Sequence, residues 1–219
     1  MINNQEIKKN FKLATLNHRN KDFEIAQNFY KKTLELNPNM FEANYNLGLL
    51  FLETGIFEKA AEYLEKSTKI QPDNFEANSK LGFVLYKLNK IDIAINYYRK
   101  TIQINPNYAE GHLRLGILFE KLGETSLAME SFKKTIEVDS TNLSGQYFLG
   151  INYSKKNQSK LAIECFKKAL ESDDIKLKKM VSTSYGNELL KVNEHIKGTK
   201  LLAQGQGVIK FTQSNYKIF

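Results

Sequence analysis

The chain has 219 residues, 42% hydrophobic and 26% charged, with one cysteine and a formal net charge of +8. Such a composition excludes a disordered polymer, and the single Cys165 excludes an intramolecular disulfide. No apolar run reaches the roughly 18 residues that a membrane-spanning helix needs.

The segment Met1 to Asn10 is polar and mixed in charge, with no apolar core behind it, so no cleaved secretion signal is expected. With the lone cysteine, this points to a cytoplasmic, reduced setting. The positive charge is concentrated late. From Ile175 to Phe219 eight lysines stand against Glu188 and Glu194, a local balance of +6, which leaves +2 for the first 174 residues. A nucleic-acid groove along the chain would need its lysines there. Binding to acidic surfaces in general remains compatible; a specific nucleic-acid partner is not expected.

A 34-residue beat organises the chain. Leu47-Gly48 returns as Leu81-Gly82, Leu115-Gly116 and Leu149-Gly150, with Leu13-Ala14 as a degenerate first copy. Ala26, Ala60, Ala94, Ala128 and Ala162 keep the same step, and Pro38, Pro72 and Pro106 mark the joints before fading to Ser140 and Asp174. Each unit predicts two helices. In the second, Phe41 to Thr54 is apolar at helical spacing, Thr54-Gly55 stops it, and a second helix runs from about Glu58 to Ile70. Pro72 blocks continuation, and Asp73 or Asn74 is suited to cap the next helix. Leu88-Asn89-Lys90, Leu122-Gly123-Glu124 and Lys156-Asn157-Gln158 read as the later intra-unit turns. Gly48 opposite Ala60 is expected to let the paired backbones approach, and a larger side chain there would cost about 1–3 kcal/mol. The slot four residues after each Ala (Tyr30, Leu64, Tyr98, Phe132 and Phe166) is expected to fill the space between pairs.

The beat breaks after Asp174. Ile175 to about Lys191 predicts a helix with Leu177, Met180, Val181, Leu189 and Leu190 on its apolar side, weakened by Gly186, and Glu194 to Ala203 a shorter one. Gly205-Gln206-Gly207 reads as a flexible joint. Val208–Phe211 and Tyr216–Phe219, flanking Thr212 to Asn215, read as a short β-hairpin.

The period, Leu-Gly, the Ala, the aromatic slot and the closing Pro together resemble the tetratricopeptide repeat (TPR). The resemblance covers five units, 7–40, 41–74, 75–108, 109–142 and 143–176. It departs from the family at the Trp position, held here by Asn10, Asn44, Asn78, His112 and Gln146. It implies an all-α fold, a right-handed α-solenoid of antiparallel helix pairs, with an array over 1–174, capping helices over 175–204 and the Gly-linked tail 205–219.

Catalytic groupings are missing from the pattern, so no enzyme, metal or cofactor is expected. His18, His112 and His195 have no spacing to Cys165 suited to a metal or a Cys-His nucleophile, and each reads as structural or surface. Cys165 reads as a core residue. In the family's register, a concave row of first helices would be lined by Glu42, Tyr45, Asn46, Leu49, Leu52 and Glu53. Glu76, Ser79, Lys80, Phe83, Tyr86 and Lys87 come next, then Glu110, Leu113, Arg114, Ile117, Glu120 and Lys121, and finally Tyr147, Phe148 and Ile151. Leu49, Phe83 and Ile117 could equally pack against neighbouring first helices. The mixture suits an extended peptide or a helix.

Two specialised versions of the family do not match. A carboxylate clamp would need Lys and Asn where Phe11 and Thr15 stand, and Lys where Glu76 stands. The Asn ladder of the arm of O-linked glycosyltransferases reads Lys12, Asn46, Lys80, Arg114 and Phe148. The function expected is therefore a non-enzymatic protein–protein scaffold. The alternative is an accessory or substrate-recognition arm of a modifying enzyme of transferase or oxygenase type, with the basic, apolar tail as its contact.

Overall fold

The computed structural model describes residues 4–207, and among them there are twelve helices and no strand. They are α1 (Asn4–Arg19), α2 (Phe23–Leu36), α3 (Phe41–Glu53), α4 (Phe57–Ile70), α5 (Phe75–Lys87) and α6 (Ile91–Ile104). The rest are α7 (Ala109–Lys121), α8 (Thr125–Val138), α9 (Leu143–Lys155), α10 (Ser159–Ala169), α11 (Ile175–Lys191) and α12 (His195–Gly205). The chain divides into two compact units, Met1–Gly111 and His112–Phe219, with the boundary inside α7. The hairpin expected after Gly207 lies outside the described residues.

One turn joins the two helices within every repeat. Lys21, Gly55, Asn89, Gly123 and Asn157, each 34 residues from the last, hold φ between +56° and +79°. The next backbone N–H then reaches back five residues: Asp22 to Asn17 O, Ile56 to Phe51 O, Lys90 to Leu85 O, Glu124 to Phe119 O and Gln158 to Tyr153 O, all at 2.8–2.9 Å. This reversal satisfies carbonyls that the helix end would otherwise orphan. Gly and Asn take the left-handed region readily; Lys21 holds it with a full side chain.

The joints between repeats have their own device. Asn44 Nδ2 donates to Pro38 O and Met40 O, both at 2.9 Å, and Asn78 repeats this to Pro72 O (2.9 Å) and Asn74 O (2.8 Å). The Asn in the family's Trp position thus ties α3 and α5 to the loops that precede them. Of the two candidates for the α5 cap, Asn74 takes the role, its side chain accepting from Ala77 N at 2.9 Å.

Packing within a pair differs from the expectation in one respect. The space above Gly48 is taken by Leu64, whose Cγ would lie 2.7 Å from an added Cβ; Ala60 is not the residue opposite. Gly82 faces the Tyr98 ring in the same way, Gly116 that of Phe132 and Gly150 that of Phe166. The large residue four places after the Ala therefore fills the groove that the glycine leaves, while the alanines are fully buried. A methyl group at Gly150 would stand 2.8 Å from Phe166 Cε1, against 3.2 Å from Tyr98 Cε2 at Gly82. At Gly116 it would fall inside the contact distance of the fully buried Phe132 ring.

The beat resumes beyond Asp174, two residues late. Asn193 has φ +66° and Glu194 N–H bonds Leu189 O at 2.9 Å, the turn of the five repeats. Gly186 stands in the Leu-Gly position: a Cβ there would lie 2.9 Å from Leu202 Cγ and 2.8 Å from Gly198 O. Gly186 is thus a contact that α11 needs, and α11–α12 is a sixth pair of the same construction. Gly205 belongs to α12 and packs against Thr183, so the expected joint shrinks to Gln206-Gly207. Val181, Tyr185 and Leu189 of α11 join Tyr147, Ala162 and Phe166 in one core. Glu188, 1% exposed, accepts hydrogen bonds from Ser154 of α9 and, at 2.9 Å, from Lys191. Burial alone would raise its carboxyl; hydrogen bonds from Ser154, Ser159 and Lys191, with the Lys191 charge, hold it below its usual value.

Two outcomes are expected. Gly116→Ala and Gly150→Ala should each cost about 1–3 kcal/mol of stability and Gly82→Ala less, read as Tm; equal Tm values for all three would mean that the rings move aside freely. Glu188→Gln should lower Tm at pH 7. Because the folded carboxyl titrates below its ordinary 4.5, its stabilisation is present above that value and lost as pH falls through the folded pKa. The Tm gap between wild type and variant should therefore be full above pH 4.5 and narrow as pH falls below it, and a gap that does not change with pH would contradict the charge role.

Candidate interaction surface

In the unit Met1–Gly111 the first helices are α1, α3 and α5. Leu47, Gly48, Leu81 and Gly82 are buried, whereas Tyr45, Asn46, Leu49, Phe83 and Tyr86 remain half-buried and Lys80 and Lys87 are exposed. Ser79, expected in this row, is buried instead. Tyr45 stacks on Phe41 with centroids 5.6 Å apart and planes 9° apart. Phe75 meets Tyr108 edge-on at 5.1 Å. Burial, then the charge of Glu76 and the neighbouring Tyr108, push the Tyr45 phenol up to about 12, so it stays a hydrogen-bond donor. Lys87 Nζ sits 5.3 Å above the Phe83 ring.

Asn46 belongs to a polar pocket together with Glu53 of the expected row and Tyr30 of the aromatic slot. A cavity of about 360 Å³ is lined by Thr15, His18, Arg19, Lys21, Tyr30, Asn46 and Glu53. His18 Nδ1 is 3.3 Å from the Tyr30 hydroxyl, and its buried Nε2 is 3.4 Å from Glu53 Oε2. Burial, eased by a hydrogen bond with Asn46 and reinforced by Glu53, pushes the Tyr30 phenol up to about 12. Thr15, His18 and Arg19 precede Leu49, Leu52 and Glu53 by 34 residues. The register carried back through the degenerate first copy would have found them.

In the unit His112–Phe219, Arg114, Ile117 and Ile151 are half-buried and Lys121 is exposed. Leu113 and Tyr147 belong to the core. Tyr147, 8% exposed, lies 5.3 Å from the Phe148 ring and 6.2 Å from that of Phe166, in the cluster that α11 completes. The covering helix explains the difference, since α11 buries what an end repeat would have left open. Lys155 Nζ bridges to Glu120 Oε1 at 2.6 Å, linking two first helices.

The chemistry remaining is that of contact. Burial, offset by Lys168 and reinforced by Glu164, pushes the Cys165 thiol up to about 11, so it is a protonated core residue at neutral pH. His112 is buried and His195 exposed at the start of α12. Among the described residues no group of three or more His, Cys, Asp or Glu could hold a metal, and no helix is long and apolar enough to cross a membrane.

Models of the tetratricopeptide repeat match residues 11–75, 109–142 and 143–175, and a model of the TPR repeat matches 84–123. No curated protein matches. Among solved structures, the crystal structure of MamA is 28% identical, with a TM-score of 0.72 over 80% of this chain and 95% of that one. YrrB, described as a TPR protein with an unusual peptide-binding site, is 24% identical, with a TM-score of 0.68 over 87% and 94%. PilW, described as a widely conserved type IV pilus biogenesis factor, is 21% identical, with a TM-score of 0.74 over 93% and 94%. The latter two share the fold. The repeat models together span more than half of the chain, in the register that the glycines and left-handed turns define. The chain belongs to the tetratricopeptide-repeat family.

Proposed function

We propose that the protein is a non-enzymatic scaffold that binds a peptide or helix of a partner protein along its first helices. What supports this reading is the division of labour along those helices. Positions that repeat are buried, and positions that vary, Tyr45, Asn46, Leu49, Lys80, Phe83, Tyr86 and Lys87, stay accessible. Arg114, Ile117, Lys121 and Ile151 are the counterparts in the second unit, while Tyr147 serves the core. Half-buried aromatics supply apolar anchors at small entropic cost, and the lysines give register and orientation. The His18 pocket adds a polar end to the row. The other reading, an accessory arm of a modifying enzyme, places its contact in the tail, 205–219.

Peptides selected from a displayed random library on the full chain should separate the two. Lys80→Glu with Arg114→Glu should weaken the selected peptides at least about tenfold, some 1.4 kcal/mol, with the melting curve unchanged. A chain ending at Gly207 should keep them. Peptides indifferent to the charge reversal but lost on truncation would overturn the proposal in favour of the arm.

A further inference from the structure

Away from the first-helix row, the unit Met1–Gly111 carries a groove with two lobes. The larger, about 540 Å³, lies between α2 and α4, with Leu34, Tyr63 and Ile70 as its apolar part and Lys31, Lys66 and Lys69 around it. The smaller, about 430 Å³, is lined by Ile7 and Lys8 of α1 together with Met40 and Phe41. Asn39 and Ile70 border both, so the lobes run on into one another. Asn44, whose amide turns back to Pro38 O and Met40 O, forms part of the wall of the larger lobe.

Charge distinguishes this groove from the one between α4 and α6, and size from the one between α8 and α10. Among the described residues Lys8, Lys31 and Lys69 make no ion pair, whereas Lys66 is held by Glu62 at 2.7 Å. Glu35 and Glu42 are the acidic residues on its border. Between α4 and α6 the position of Lys31 is taken by Glu65, and the Tyr97 hydroxyl hydrogen-bonds Thr68 beside it. Between α8 and α10 the register repeats as Lys133, Ile136, Gln146, Cys165 and Lys168, but the cavity is about 270 Å³, half the size.

We propose that this groove is a second docking site, which seats an extended acidic segment of a partner protein with one bulky apolar side chain in the larger lobe. The volume suits a large side chain. Two lobes in succession suit an extended chain better than a compact small molecule, and unpaired lysines on the border complement carboxylates flanking the anchor.

An array of acidic heptapeptides with Trp, Phe, Tyr, Leu, Met or Ala at the centre tests the assignment by fluorescence anisotropy with the full chain. At least one bulky-centre peptide should bind saturably, and its Ala counterpart should bind at least about tenfold more weakly. Lys31→Glu with Lys69→Glu should weaken it by a similar factor, circular dichroism confirming an unchanged fold. Lys80→Glu with Lys87→Glu, in the first-helix row, should leave it within about twofold. No saturable binding across the array, indifference to the bulky centre or to the Lys31/Lys69 reversal, or loss on the Lys80/Lys87 reversal would each overturn the proposal. Since only the last pair touches the first-helix row, a failure here and a failure of that row read differently.

Discussion

Every helix pair after the first depends on one contact, a bare backbone on the first helix meeting a large side chain from the second. At Gly48, Gly82, Gly116 and Gly150 the missing Cβ is replaced by Leu64, Tyr98, Phe132 and Phe166. A ring or branched chain seated on the backbone gains dispersion contacts along its whole face, and interiors at crystal-like density leave no slack to move it. The register of each pair comes from that seating. Gly186 with Leu202 shows the same contact in α11–α12, where the sequence pattern has faded.

Two further devices orient successive helices. The left-handed turn after each first helix reverses the chain within a few residues while keeping its carbonyls bonded. At the joints between repeats, Asn44 and Asn78 return their amides to the preceding loop. Where the family uses a large aromatic, this chain uses a hydrogen-bonded asparagine. The exchange gives up apolar contact area and leaves a cavity beside α2 and α4.

Function in such a scaffold is written in what the architecture leaves free. Tyr45 stacks on Phe41 within α3 and Phe83 lies beneath Lys87 Nζ within α5, so both rings are supported on one side while staying half-buried. Charge is distributed more finely than the total of +8 suggests. Among the described residues Lys31 and Lys69 of the α2–α4 groove make no ion pair, whereas Lys66, Lys155 and Lys191 are paired with Glu62, Glu120 and Glu188.

The helix pairs, their period, the turn positions and the family are legible in the amino-acid order, because they rest on local propensity and on residues repeated in register. Most of the accessible first-helix positions are marked there too. The His18 pocket is legible only when the register is carried back through the first copy, which lacks its glycine, and the last two helices are expected without their repeat construction, since Gly198 stands where alanines signal the others. Only the packed helices establish that Leu64, and not Ala60, fills the space above Gly48, and that Tyr147 belongs to the core. Periodicity says which face of a helix is apolar, but the neighbouring helix decides whether that face is covered.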